Sequence, residues 1–82
     1  MVENIVSMIR HDMMLLERDR LKPKYIVLDK DTYRKVLGSR VLMDKGILVP
    51  ACYQARPKVG DTLFWLPITV TTGTKFTVEV VG

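Results

Sequence analysis

The side chains that could perform chemistry are few in this 82-residue sequence, and they are widely spaced. There is one histidine, His11, and one cysteine, Cys52. The two could meet in space as a thiol nucleophile with an adjacent base. His11, however, falls on the polar side of a predicted helix, where a solvated histidine is the ordinary outcome. A zinc site usually needs several His or Cys ligands at short spacings, so the sequence predicts no metal site.

Two aspartates, Asp29 and Asp31, stand where an apolar run gives way to a helical pattern. Paired carboxylates can act as acid and base or bind a cation. At a helix start, either one can instead accept from the first-turn N–H groups, and its charge suits the positive end of the helix dipole. We expect capping. The glycines are scattered and form no phosphate loop, so we predict a non-enzymatic protein with no cofactor and no small-molecule substrate.

Both aspartates follow the stretch around which the fold is predicted to be built. Residues 25–28 are an uninterrupted apolar run, which is typical of a central strand covered on both faces. Tyr33, Val36 and Leu37 then fall on one face of a short helix. Gly38 stands where a left-handed C-cap is usual.

The first segment, residues 3 to about 20, is predicted to be an amphipathic helix. Its core-facing stripe, at 100° per residue, contains Val2, Ile5, Val6, Ile9, Met13 and Leu16. Met8 and Leu15 lie on the flank of that stripe, and Met14 lies further round among polar residues. Either this flank meets a partner, which makes Met8 and Leu15 candidate interface residues, or a thin core covers it and the methionines fill irregular gaps.

The middle of the chain is predicted to be less regular. Residues 41–43 and 47–49 flank Asp44-Lys45-Gly46, which predicts either a small hairpin or an ordered excursion without a regular ladder. Residues 50–61 contain Pro50, Pro57 and Gly60, which predict a loop with one short turn.

The last part of the chain is predicted to form a hairpin. Residues 62–71 form a strand that is at an edge, bulged or bent near Pro67, because proline cannot donate to a ladder. Residues 76–81 alternate, with Phe76, Val78 and Val80 inward. We expect these two strands to pair. The predicted fold is α+β in a single domain, residues 1–82: one long N-terminal amphipathic helix and one short helix packed on a small mixed or antiparallel sheet ending in a C-terminal hairpin.

Trp65 is the one tryptophan, and it stands beside the strand-bending Pro67. A tryptophan in this position is either a core anchor or, if it faces outward, an interface hot spot. Phe64 points to the opposite face of the predicted strand. Leu63 shares a side with Trp65 before the proline, and Leu66, Ile68 and Val70 share a side around and after it.

The formal net charge of +4 raises the question of nucleic-acid binding. The densest basic stretch contains Arg18, Arg20, Lys22 and Lys24, with one aspartate among them. A concentrated patch would bind phosphates, whereas the mixture of charges along the rest of the chain is typical of a solvated surface. Nucleic acid is therefore the alternative partner and a protein partner or homo-oligomer the favoured one.

The expected cellular compartment of the protein is inferred from its apolar runs and its cysteine count. No run is long enough to span a bilayer, and residues 1–20 contain acidic side chains and no hydrophobic signal core. Cys52 is alone and forms no internal disulfide. We expect a cytoplasmic protein without membrane association.

The order of these motifs resembles the central A domain of the tailed-phage major capsid and encapsulin family. The matching features are the Pro-x-Tyr-Ile-Val-Leu strand at residues 23–28, the short helix after it, a variable excursion and the strand at residues 62–71. Trp65 stands where the family pattern has glycine, and Lys30 where a proline commonly follows the strand. The N-terminal arm, the extended loop and the peripheral domain of that family have no counterpart among the elements predicted for these residues. The resemblance implies a stand-alone structural module, of host cytoplasm or virion, that packs against capsid-like subunits, host proteins or itself.

Overall fold

The computed structural model of the protein describes residues 2–54 and 60–82. Its helices are α1 (Val2–Arg18), α2 (Lys30–Leu37) and α3 (Arg40–Asp44), and a 3₁₀ turn covers Ala51–Tyr53. Its strands are β1 (Tyr25–Leu28), β2 (Leu48–Val49), β3 (Thr62–Leu63), β4 (Leu66–Val70) and β5 (Val78–Val81). They form a mixed five-stranded sheet in the order β2-β3-β4-β1-β5, which confirms the predicted α+β class.

Strand β1 lies inside the sheet, as its apolar run predicts. It pairs in parallel with β4 and antiparallel with β5. The expectation that both of its faces are covered is wrong, because Ile26 and Leu28 are fully buried while Tyr25 is exposed and Val27 is half-buried. The buried side chains of α1, α2 and α3 join Ile26 and Leu28 in one core, so the helices cover one face of the sheet.

The predicted C-terminal hairpin is wrong. β1 lies between β4 and β5, so those two strands do not pair. The chain between them passes the carboxyl end of β1, where the Thr71 N–H donates to the Leu28 carbonyl and the Asp29 N–H donates to the Thr77 carbonyl. β1 thereby gains a neighbour on each side. Phe76 precedes the strand and is 53% exposed, which corrects its inward placement.

The two predicted helices are present, and their apolar faces point to the core. In α1, Ile5 and Ile9 are buried, and Val6, Met13 and Leu16 pack against them. The side chain of Val2 lies outside the described residues. In α2, Val36 is fully buried, and Tyr33 and Leu37 pack against the core.

Gly38 ends α2, but not in the left-handed conformation that we expected. Its φ is −80°, a right-handed value, because the chain passes directly into α3. The Ser39 side chain caps α3 by accepting from the Leu42 N–H at 3.4 Å. Val41 is therefore helical, and the predicted hairpin of residues 41–49 is wrong. β2 pairs instead with β3, through Leu48 and Leu63.

The 3₁₀ turn Ala51–Tyr53 confirms the short turn expected after Pro50, and residues 55–59 of that predicted loop lie outside the described residues. Beyond it, residues 62–71 form two strands rather than one bent strand. β3 and β4 pair antiparallel through Thr62 with Pro67 and Leu63 with Leu66. The chain thus reverses completely beside Pro67.

Candidate functional site

The turn between β3 and β4 consists of two residues, Phe64 and Trp65. Their φ angles are +53° and +63°. Two successive positive φ values in a two-residue hairpin loop define a type I′ turn, whose usual residues are Asn-Gly or Gly-Gly. A side chain with a Cβ in this region costs roughly 1–2 kcal/mol per residue, so the pair of aromatic residues makes this turn a strained one.

Phe64 is the residue that holds this turn in place. Its N–H donates to the Ile47 carbonyl at 2.8 Å, and its half-buried ring packs against the core. The guanidinium carbon of Arg10 in α1 lies 5.7 Å from the centre of that ring, within the range of a cation–π contact. Three separate parts of the chain therefore fix Phe64.

Trp65 extends into solvent from this anchored turn and is 78% exposed. The core-anchor interpretation of the tryptophan is therefore wrong, because its side chain faces outward. Leu63, predicted to share a side with it, is fully buried in β3, because the turn separates the two residues. A large apolar side chain held outward by strained backbone is the kind of outlier that clusters at binding sites.

The flank of α1 is a second exposed apolar surface. Met8 is 43% exposed and Leu15 is 41% exposed, so no core covers them. Met8 lines an open cleft of about 350 Å³ together with Phe76, Asn4, Asp31 and Lys35. The opposite flank of α1 faces α3 across a separate cleft of about 540 Å³. Met8 and Leu15 thus lie on the side of α1 that points away from α3.

The basic residues of the alternative site, Arg18, Arg20, Lys22 and Lys24, are all exposed. The parallel register, in which Ile26 is opposite Ile68, places Lys24 beside Leu66 at the end of the sheet that carries Trp65. Exposed Glu17 and Asp19 lie among them. The structure brings the basic segment and the tryptophan to one end of the sheet.

Asp29 is a buried carboxylate at the other end. It accepts from the Thr32 N–H at 3.2 Å, from the Thr32 hydroxyl and from the Thr77 N–H at 2.9 Å. The hydroxyl of Thr32 and then the N–H of Thr77 lower the pKa of Asp29 to about 2. This confirms Asp29 as the cap of α2, and Asp31 lies exposed in the first turn of that helix.

Sequence reasoning missed a second carboxylate, Asp61, which precedes β3. It accepts from the Tyr33 hydroxyl and from the Ala51 N–H at 2.8 Å, and so ties α2 to the 3₁₀ turn. The hydrogen bond to Asp61 raises the pKa of Tyr33 to about 12. No spacing in the sequence relates these positions, because they are joined by the fold alone.

His11 and Cys52 are both exposed, on α1 and on the 3₁₀ turn. Among residues 2–54 and 60–82, no group of three or more His, Cys, Asp or Glu side chains could hold a metal ion. In the same part of the chain, no helix combines the length and the apolar character needed to cross a membrane.

Comparison of the chain with protein-family models, with curated proteins and with solved structures finds no match. The candidate site therefore rests on its own geometry, which consists of a strained turn with an exposed tryptophan, an exposed helix flank and a basic segment.

Proposed function

We propose that this protein is a non-enzymatic interaction module whose principal anchor is Trp65. The observation that carries the proposal is the type I′ turn, in which two aromatic residues occupy positive φ and the second projects its indole into water. Glycine or asparagine would form the same turn with less strain. The turn thus combines a cost to folding with a surface suited to binding.

Physical chemistry favours a protein partner for this anchor. Tryptophan is enriched among the residues that contribute most to interface affinity, because it buries a large area with few rotatable bonds and offers an N–H donor. Phe64 restricts the turn through its contacts with Ile47 and Arg10, so binding should cost little further conformational entropy. Exposed Tyr25 and Leu21 belong to the same end of the sheet.

The resemblance of the chain to a capsid A domain supplies the first partner class to test. Capsid-like subunits, host proteins and a second copy of this chain are the candidate partners. We infer that Trp65 inserts into a pocket of such a partner.

The test compares wild type with Trp65→Ala and with Tyr53→Ala as the matched control. Tyr53 is 76% exposed, close to the 78% of Trp65, and lies outside the turn. Each protein is immobilised and offered purified capsid-like subunits and an extract of the source cells, and each captured partner is purified and titrated. We expect Trp65→Ala to weaken binding by about 30-fold or more, the size of a hot-spot effect, while Tyr53→Ala binds like wild type.

Fluorescence gives an independent readout, because Trp65 is the one tryptophan. Its emission should move to shorter wavelength and resist iodide quenching as the partner is added. Equal affinity of wild type and Trp65→Ala, or water-like emission in the complex, would overturn the proposal.

A second candidate function, binding of single-stranded nucleic acid, is favoured by one observation: Lys24 and Trp65 lie at the same end of the sheet. Basic side chains that follow the backbone and an aromatic ring that stacks on bases are the usual elements of such a site. Titration with a single-stranded oligonucleotide at two salt concentrations tests it. Affinity that falls steeply with salt and is lost in Trp65→Ala supports it, whereas salt-insensitive or absent binding excludes it.

A further inference from the structure

We propose that the cleft between α1 and α3 binds a small organic carboxylate that carries an apolar body. This inference does not rest on Trp65 or on the proposed interaction function. The cleft has a volume of about 540 Å³, which lies within the range of small-molecule sites in proteins. Such sites combine a largely apolar lining with a few polar side chains that orient the ligand. The lining of this cleft has both components.

The apolar part of the lining comes from both helices and from the chain before β2. Leu42 and Ile47 are its most buried side chains, at 3% and 9% exposure. Val6 of α1 is half-buried, and Val41 of α3 is 55% exposed. A hydrocarbon body that covers Val41 removes apolar surface from water, which favours binding. The apolar groups of the cleft thus select a ligand with such a body.

Two cationic side chains line the same cleft, Arg10 on α1 and Lys45 directly after α3. The guanidinium carbon of Arg10 lies 5.7 Å from the centre of the Phe64 ring. The N–H of Phe64 in turn donates to the carbonyl of Ile47, which follows Lys45 by two residues. These contacts place both cations on the side of the cleft nearest to Phe64. A carboxylate bound there meets two positive charges.

The two cations keep N–H groups for a ligand. Within residues 2–54 and 60–82, the side-chain hydrogen bonds involve neither Arg10 nor Lys45. An arginine can donate two parallel N–H groups to one carboxylate, and a lysine supplies a further donor. Ser39 also lines the cleft, and its hydroxyl oxygen caps α3 while its proton can be donated. The cleft therefore holds the donors that a carboxylate needs.

The position of Glu3 sets the direction of the ligand. Glu3 is the one acidic residue among the described residues that line this cleft, and it lies two turns before Arg10, roughly 10 Å along α1. Its charge repels a carboxylate at that end. The carboxylate should therefore lie beside Arg10, with the apolar body over Val6, which lies between the two charged residues on the same face of the helix.

The balance of charge favours a monoanion and distinguishes this cleft from its neighbour. Two cations and one carboxylate give the described lining a net charge of +1, which a monocarboxylate neutralises and a phosphate dianion exceeds. The cleft of about 350 Å³ on the other flank of α1 is lined by Asp29, Asp31 and Lys35, so its net charge is −1. An organic carboxylate should prefer the cleft between α1 and α3.

The experiment is an NMR titration of the isotope-labelled full chain with octanoate at neutral pH. Acetate and octanol serve as the head alone and the tail alone. We expect octanoate to bind at least about tenfold more tightly than either of them, because it uses both parts of the lining. It should shift the amide signals of Ser39, Leu42 and Ile47. The signals of Thr74 and Phe76, which line the other cleft, should stay in place.

Two charge reversals form a matched pair of variants. Lys45→Glu changes the cleft and should weaken octanoate binding by about tenfold or more. Lys35→Glu is the control, since Lys35 also lies at the C-terminal end of a helix but lines the other cleft, and it should leave the dissociation constant unchanged. Ser7→Phe narrows the cleft from an exposed position without changing its charge, and it should also weaken binding.

Circular dichroism verifies the folding of each variant, and the comparison of three ligands decides the matter on wild type alone. Trp65→Ala should bind octanoate like wild type, so this inference and the proposed function can fail separately. Equal affinities for octanoate and octanol, or equal effects of Lys45→Glu and Lys35→Glu, would overturn the inference. So would shifts at Thr74 and Phe76 instead of the α1–α3 cleft, or no shift up to about 10 mM octanoate.

Discussion

The two ends of the sheet differ in the hydrogen bonding of their polar groups and in the exposure of their apolar side chains. At the carboxyl end of β1, Asp29 accepts three hydrogen bonds and joins α2 to the chain that precedes β5. At the amino end, the Phe64-Trp65 turn has unfavourable backbone angles and an exposed indole. The first end adds to the stability of the fold, whereas the second retains the backbone strain and the exposed indole on which the proposed interaction function rests.

This contrast teaches where function should be sought in a small domain that carries few reactive groups. A buried carboxylate such as Asp29 is a common candidate for catalysis. Each of its hydrogen-bond donors, however, is a group that holds the fold together. The strained turn has no group suited to catalysis and no structural need for its tryptophan. Changes at the two ends should accordingly have opposite signs for stability.

The largest effect is expected for Asp29→Ala. Loss of this carboxylate removes the cap of α2 and the link to Thr77, so the thermal midpoint should fall by on the order of 10 °C. Asp31→Ala, two residues away and exposed, is the control and should change the free energy of unfolding by about 0.5 kcal/mol or less. Calorimetry of both variants decides the matter, and equal losses would remove the proposed difference between the two aspartates.

A smaller change should follow protonation of the same group. Because the pKa of Asp29 is lowered from 3.8 to about 2, its ionised form stabilises the fold in full above pH 3.8. That contribution disappears as the pH falls toward 2. The difference in thermal midpoint between wild type and Asp29→Asn should therefore narrow across this interval, as followed by circular dichroism. A difference that stays constant down to pH 2 contradicts the assignment.

At the other end, Trp65→Gly should make the protein more stable. Glycine adopts positive φ without penalty, so the free energy of unfolding should rise by about 1 kcal/mol. Trp65→Ala retains the strain and should stay close to wild type. Urea denaturation measures both. If glycine gives no gain over alanine, the turn is not strained in solution and the argument for a functional anchor loses its basis.

The smallest effect is expected at Tyr33. Its pKa is raised from 10.0 to about 12 by the bond to Asp61, so the neutral phenol stabilises the fold below pH 10. This advantage declines as the pH rises from 10 to 12. Wild type should approach Tyr33→Phe in stability over that range, in urea titrations at successive pH values. A difference in stability between wild type and Tyr33→Phe that persists at pH 12 would show that the effect of the hydroxyl on stability does not depend on its ionisation.

The features that sequence reasoning predicted correctly are those determined locally. The stripe of α1, the face of α2 and the cap at Asp29 depend on residues within one or two turns of each other. Strand β1 was placed inside the sheet because its apolar run is unbroken. The sequence left open whether Met8 and Leu15 are covered, and the structure shows that both are exposed.

The features that were missed depend on distant partners. Nothing local indicates that β1 inserts between β4 and β5, since any two apolar strands can pair. The reversal at Phe64-Trp65 contains no glycine or asparagine, the residues from which such a turn is predicted. Its stability comes from contacts with Ile47 and Arg10 elsewhere in the chain. Helix α3 was missed because its apolar residues also fit a strand, and the cap at Ser39 decided the outcome.

The position of β1 also sets the order in which the protein can be completed. The residues of β1 leave the ribosome early, but both of their neighbours, β4 and β5, come from the last part of the chain. Until β4 and β5 have been synthesised, both edges of β1 are unpaired, and unpaired strand edges promote aggregation. Helix α1 emerges first but packs mainly against β5, so the helix, like β1, completes its contacts only when the last strand arrives.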